Sequence, residues 1–209
     1  MRDEGIAAMA ENQSSDVGRA SIVTGSRVTL RIEASVLRMV ARPVPEAMFG
    51  TETLRRLVEE MWMCMIEAGG VGIAAPQVGI SWRLFIASAA GILPSTVFVN
   101  PEVEYFGEPT VLGEEGCLSI PGWRSSRVPR HPKVSVRYRD MDGGTHEATY
   151  EGLAARIVQH EFDHLNGRLF IDLDEAPVAD SALKRRVARA MAEMDERLRA
   201  AGEDEDSGA

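Results

Sequence analysis

Gln159-His160-Glu161-Phe162-Asp163-His164, with Leu165-Asn166-Gly167 behind it, is the stretch whose reading decides this chain. Leu153, Ile157 and Val158 recur upstream at helical spacing, and Gly167 supplies a C-terminal stop, so the segment reads as a helix. On a helix, His160 and His164 lie one turn apart and project from one face. Two imidazoles so placed can bind one metal ion, and Glu161 between them can reach a metal-bound water. The five-residue pattern H-E-x-x-H also fits a helix with two surface histidines and an incidental glutamate. A third ligand elsewhere in the chain decides between the two.

The 209 residues suit one domain with a sizeable core and some extra at the ends. Hydrophobic residues make up 44% and charged residues 26%, the ordinary balance of a globular protein. The net charge of −9 argues against broad binding to nucleic acid, so no DNA partner is expected. No apolar run approaches the roughly 18 residues of a membrane-spanning helix, so no membrane partner is expected either. The first 25 residues carry Asp3, Glu4, Glu11 and Asp16 and have no apolar centre, unlike a signal or transit peptide. The cytoplasm is the expected compartment and a monomer the expected state. In that setting Cys64 and Cys117 point to a metal or catalytic thiol rather than a disulfide.

Taken in order, residues 1–27 read as a flexible extension and Val28 to Ala34 as a short strand. Thr51 to Ala68 reads as a helix with Leu54, Leu57, Val58, Met61, Met65 and Ala68 on one face, ended by Gly69-Gly70. Cys64 reads there as a buried thiol in a methionine-rich core. Gly70-Val71-Gly72-Ile73-Ala74-Ala75-Pro76-Gln77 is glycine-rich, but no Lys-Ser/Thr follows it, which excludes a nucleotide loop. Gln77 is either a hydrogen-bond donor into a cleft or a turn residue. Arg83 to Ala87 and Thr96 to Val99 are expected strands, the second closed by Pro101. Lys133 to Arg139 and Thr145 to Tyr150 form a hairpin about the turn Asp142-Gly143-Gly144. Phe170-Ile171-Asp172 reads as one more short strand, and Ser181 to Ala201 as a last helix. His131 and His146 read as surface residues, and Asp163 as either a partner of a ligand or a solvated acid.

The expected fold class is therefore α+β, with mainly antiparallel sheets around a central H-E-x-x-H helix, an N-terminal helix and a C-terminal helix. The expected organisation is a catalytic domain over 28–175, a helix over 176–201 and an acidic tail over 202–209 that contains Glu203-Asp204-Glu205-Asp206.

The extended zinc-protease template H-E-x-x-H-x-x-G-x-x-H runs as far as Gly167, but Phe170 stands where its third histidine belongs. Asp172, Asp174 and Glu175 lie beyond, with no helical pattern to aim them back. Upstream, Glu115-Gly116-Cys117-Leu118-Ser119 offers a thiolate, and Cys/His/His leaves one coordination position open. The glycine-rich stretch ending at Gln77, the Cys117 stretch and the His160 stretch, in that order, closely resemble the peptide deformylase family from roughly Val28 to Asp172.

That resemblance implies that Cys117, His160 and His164 are metal ligands and that Glu161 is the catalytic acid/base. Gln77 and the backbone N–H of Leu118 match the pair that binds the formyl oxygen. Gly72 lies where the family's backbone meets the substrate peptide, and Arg124 matches its substrate-side arginine. It further implies hydrolysis of the formyl group from N-formylmethionyl peptides of nascent chains, with one divalent ion, Fe2+ by family habit and Zn2+, Ni2+ or Co2+ as other occupants. Val71, Leu153 and Ile157 are candidates for an apolar pocket, with core packing as their alternative. Two other readings stay open at this point. One is a metallopeptidase with a third ligand near Asp172 to Glu175; the other is a non-enzymatic site of Cys64, Cys117, His160 and His164. Ser181 to Ala201 carries six Lys/Arg and three Asp/Glu, a net of +3, which suggests docking on ribosomal RNA. Relative to the family, Val28 to Pro45 lacks the usual proline-rich opening, and the N-terminal extension is long.

Overall fold

Strand β2 (Leu84–Ala89) shows how the sheet is built, because it is buried on both faces. Leu84 and Ile86 point to one side, where they meet Leu54, Leu57, Val58, Met61 and Met65 of helix α2 (Glu52–Glu67). Phe85 and Ala87 point to the other side, where they meet Ala154, Ala155, Ile157 and Val158 of helix α3 (Gly152–Leu165). The period-2 alternation of a strand thus divides one apolar run between two helices. The computed structural model describes residues 34–174 together with Arg185 and Arg189. The expected extension over 1–27, the strand over 28–33, Glu175 and the acidic tail lie outside the described residues. So does the expected C-terminal helix, those two arginines apart.

The main sheet is antiparallel in the order β1-β2-β3-β6-β7, with β1 (Gly72–Ala74), β3 (Leu93–Phe106), β6 (Lys133–Arg139) and β7 (Thr145–Glu151). A separate hairpin pairs β4 (Val111–Cys117) with β5 (Ile120–Arg130). Ile120 and Val128 of β5 form a third apolar cluster with Leu37 of α1 (Ala34–Leu37) and Phe170 and Ile171 of α4 (Phe170–Leu173). The α+β class expected from the sequence is the observed one.

Helix α2 begins where expected, since Thr51 accepts the Leu54 N–H at 3.3 Å as its N-cap. Three local expectations change. Pro101 does not close β3: the strand passes it through an irregularity between Val99 and Glu102. There Asn100, at φ 50°, exchanges hydrogen bonds with the Val44 backbone. The stretch Phe170-Ile171-Asp172 is a helical turn rather than a strand, because Asp172 accepts the Leu169 N–H at 2.8 Å and caps it. Ala34, placed at the end of a strand by the sequence, opens the short helix α1.

Helix α3 follows β7 without a loop and ends at Leu165, with Asn166 as C-cap and Gly167 at φ 68°. A Cβ at Gly167 would come within 2.6 Å of the Arg38 carbonyl, so glycine answers both the left-handed backbone and the crowding.

Candidate metal centre

His160 and His164 leave one face of α3 with ring centroids 5.1 Å apart. Cys117 ends β4, and a two-residue turn, Leu118-Ser119, carries the chain into β5, so that Cys117 pairs with Ile120. Through this turn the thiol meets the helix: ligand atoms of Cys117, His160 and His164 lie within 4.8 Å of one another. Cys117 Sγ is 3.4 Å from His164 Nε2. Among the described residues Cys64 is outside this group; it is buried in the α2 core, as its Met-rich setting suggests. Asp172 is paired with Arg38 at 2.5 Å, and Asp174 accepts from Ser125.

Glu161, next to His160 on the helix, is buried. Its side chain rests on the bare Cα of Gly72 in β1, where a Cβ would come within 2.8 Å of Glu161 Cδ and Cγ. Burial pushes its carboxyl up to about 7, against the opposing effect of His160. Glu161 Oε2 has no hydrogen-bond partner among the described residues, which is costly for a buried oxygen unless something polar comes to it. Gln77, in the 3-10 turn Ala75–Val78, accepts the Ala74 N–H at 2.8 Å through Oε1. That bond turns its amide nitrogen toward Ser119 Oγ at 3.2 Å and Cys117 Sγ at 3.5 Å. Gln77 is therefore more than a turn residue: it is 2% exposed and its donor faces the thiol.

Glu115 is the residue around which the surrounding charges collect. It accepts from Arg130 Nε and Nη2 at 2.8 and 2.9 Å, from Arg156 Nη1 at 2.8 Å, and it faces His160 Nδ1 at 2.8 Å. Burial alone would raise its carboxyl, but Arg130 and His160 hold it down at about 2. With Nδ1 engaged, the other ring nitrogen of His160 is presented to the thiol side. Arg130 Nη1 also donates to Asp163 at 2.5 Å, so Asp163 is a buried ion-pair partner rather than a solvated acid. The two histidines are driven apart: the bonds to Cys117 and Glu115 outweigh burial and raise His160, whereas burial and the His160 charge lower His164.

Apolar patterning does not reveal Glu115, Arg130 and Arg156 as a set. The one available signal is the pair Glu114-Glu115 inside β4, a strand that buries no other residue. The other expected site residues are spread. Ile157 is buried in the α3 core, while Val71 and Leu153 are about half exposed. Arg124 sits opposite Gly116 on β5, exposed and paired with Glu114 at 2.6 Å. His146 and His131 stand at the surface but have partners: Asp140 at 2.6 Å for the first and the Gly107 carbonyl at 3.3 Å for the second.

A soft thiolate and two imidazoles, beside a buried carboxylate oxygen without a partner among the described residues, fit one divalent ion of borderline softness. The family model described as polypeptide deformylase matches residues 27–177. The chain belongs to that family. It is 40% identical over 162 residues to a peptide deformylase of Afipia carboxidovorans, covering 76% of this chain and 92% of that one. The crystal structure of peptide deformylase from Thermus thermophilus matches with TM-score 0.69 and 38% identity, over 80% of this chain and 99% of that one. A class I type b peptide deformylase from Acinetobacter baumannii, with Met-Ala-Ser bound, matches with TM-score 0.65 and 42% identity, over 69% and 96%. With membership comes the activity: the chain is a metal-dependent hydrolase that removes the N-formyl group from newly made polypeptides. The metallopeptidase and structural-site readings give way to it.

Proposed function

We propose that Cys117, His160 and His164 hold the metal ion, that Glu161 is the proton carrier, and that the substrate is a chain beginning with N-formylmethionine. The observation that carries this is the buried Glu161 Oε2, without a partner among the described residues, beside the three ligand atoms. A bound divalent ion supplies Lewis acidity, making hydroxide available near neutral pH. Glu161, whose carboxyl is raised to about 7, takes a proton from the attacking water and passes it to the departing amine. The Gln77 amide, fixed by its bond to Ala74, donates to the formyl oxygen as charge develops there, and the Leu118 N–H is the second donor.

Arg124, exposed on β5, would serve a passing peptide, and the half-exposed Val71 and Leu153 would supply apolar surface to it. Ile157, buried in the α3 core, is the third apolar candidate for the pocket. The thiolate suits Fe2+, the family's habitual ion; Zn2+, Ni2+ or Co2+ use the same donors, and supply decides occupancy. We place the activity in the cytoplasm, in a monomer whose catalytic unit is 28–175.

The test is release of free amine from formyl-Met-Ala-Ser by anaerobically purified, iron-loaded protein. Turnover that falls to background in Cys117→Ser is the expected result. Full turnover in that variant, or none in the iron-loaded wild type, overturns the assignment.

A further inference from the structure

The three ligand atoms come from two elements that share little apolar contact. Glu115 is the one buried residue of β4; Val111 and Leu112 are exposed. Beside the Glu115–His160 contact and the Arg130 bridge to Asp163, this strand is tied to α3 by Arg156, which leaves the helix one turn before His160. Its Nη1 donates to Glu115 Oε1 at 2.8 Å and to the Val128 carbonyl at 2.9 Å, and its Nη2 donates to the Val111 carbonyl at 2.7 Å. One planar fork thus holds both strands of the hairpin. It lies on the bare backbone of Gly113, where a Cβ would come within 2.6 Å of Arg156 Cζ and Nη2. The φ of Gly113 is not in the left-handed region, although the β4–β5 register shifts between Gly113 and Glu115.

We infer that Arg156 and Gly113 form a paired fork and gap that sets the position of the Cys117 thiolate relative to His160 and His164, making Arg156 a positioning residue for the metal centre. The inference rests on the reading of those three residues as ligands. It predicts a specific interaction between two substitutions. A methyl group at Gly113 pushes the guanidinium off the strand and the hairpin with it. Removing Arg156 releases the hairpin but also empties the space that the methyl group needs.

The test uses full-length protein loaded with Co2+, whose thiolate charge-transfer and d–d absorption report ligand geometry. Release of Co2+ to a chelator gives the second readout. Gly113→Ala and Arg156→Ala are each expected to speed release about tenfold and to shift the d–d bands, by analogy with other groups that orient metal ligands. The double variant is expected to release Co2+ more slowly than Gly113→Ala alone. Arg156→Lys, which keeps the charge and loses the fork, is expected to behave as Arg156→Ala. A wild-type spectrum and release rate in Arg156→Ala or Arg156→Lys overturns the inference, as does a double variant that is worse than both singles. Should Gly113→Ala fail to fold by circular dichroism, the two Arg156 variants decide the matter. Wild-type protein that shows no thiolate band, or Cys117→Ser that keeps it, overturns instead the ligand reading.

Discussion

Helix α3 and the β4–β5 hairpin each bring proposed ligands to the same centre, yet they are held by different physics. The helix is embedded: Ala154, Ala155, Ile157, Val158 and Leu165 pack against the sheet, and it carries His160 and His164 as passengers on a rigid body. At its end Arg83 adds a bond to Asn166 at 3.1 Å and lies over the Phe162 ring. The apolar anchoring of the hairpin is mostly from β5, and β4 meets the helix through Glu115, Arg130, Arg156, His160 and Asp163. Apolar packing tolerates small shifts at small cost, whereas a buried ion-pair network has few acceptable geometries. A metal site with ligands on both kinds of support gains stability from the first and geometric definition from the second.

The largest effect that can be used to probe this contrast is chemical. Glu161→Ala should leave the metal in place, since both supports are untouched, and lower turnover of formyl-Met peptides by roughly 10²–10⁴-fold. Metal content by elemental analysis beside kcat separates the two. Breaking the polar support comes next. Arg130→Met leaves buried Asp163 without its close cation and takes one of two arginines from Glu115, and should cost about 3–5 kcal/mol in denaturant unfolding together with faster metal loss. Breaking the apolar support with Leu165→Ala should cost about 2–5 kcal/mol, yet leave the Co2+ spectrum close to that of the wild type. A spectrum disturbed more by Leu165→Ala than by Arg130→Met would reverse the comparison.

Acid sharpens it further. The Glu115 carboxyl is held at about 2 in the folded chain against an ordinary value of 4.5. A depressed carboxyl contributes stability that is fully present above the ordinary value and is lost as pH falls toward the folded one. Stability should therefore decline from about pH 4.5 toward about pH 2, and Glu115→Gln should flatten that limb of the unfolding-versus-pH curve. Leu165→Ala should shift the whole curve and keep its slope. The smallest effect is expected at Leu112→Ser, on the exposed side of β4, within about 0.5 kcal/mol of wild type in the same unfolding assay.

What can be read in advance follows the same divide. The helix Glu52–Glu67 shows its apolar face at helical spacing, and the β6–β7 hairpin shows alternation about Gly143-Gly144. Strand β4 shows neither, because its one buried residue is Glu115 and its apolar residues Val111 and Leu112 face outward. A strand whose buried position is a glutamate is invisible to a pattern of apolar residues. The extension of β3 past Pro101 is hidden for a related reason. The Asn100 side chain takes over backbone hydrogen bonds there, and no local rule announces that substitution.

The sequence by itself determined the chemistry: H-E-x-x-H on a helix, a cysteine in Glu115-Gly116-Cys117-Leu118-Ser119, and Gln77 at the end of a glycine-rich turn. Residue type and short spacing survive in one dimension, and the order of the three stretches carries the family resemblance that gives them their roles. Tertiary structure alone decided how they are held. The Glu115 partners stand 15, 41 and 45 residues away, at Arg130, Arg156 and His160. Charge pairing over such separations leaves no periodic trace, because any arginine can serve any buried carboxylate that the fold brings within reach. Which one does so depends on where two strands and a helix come to rest.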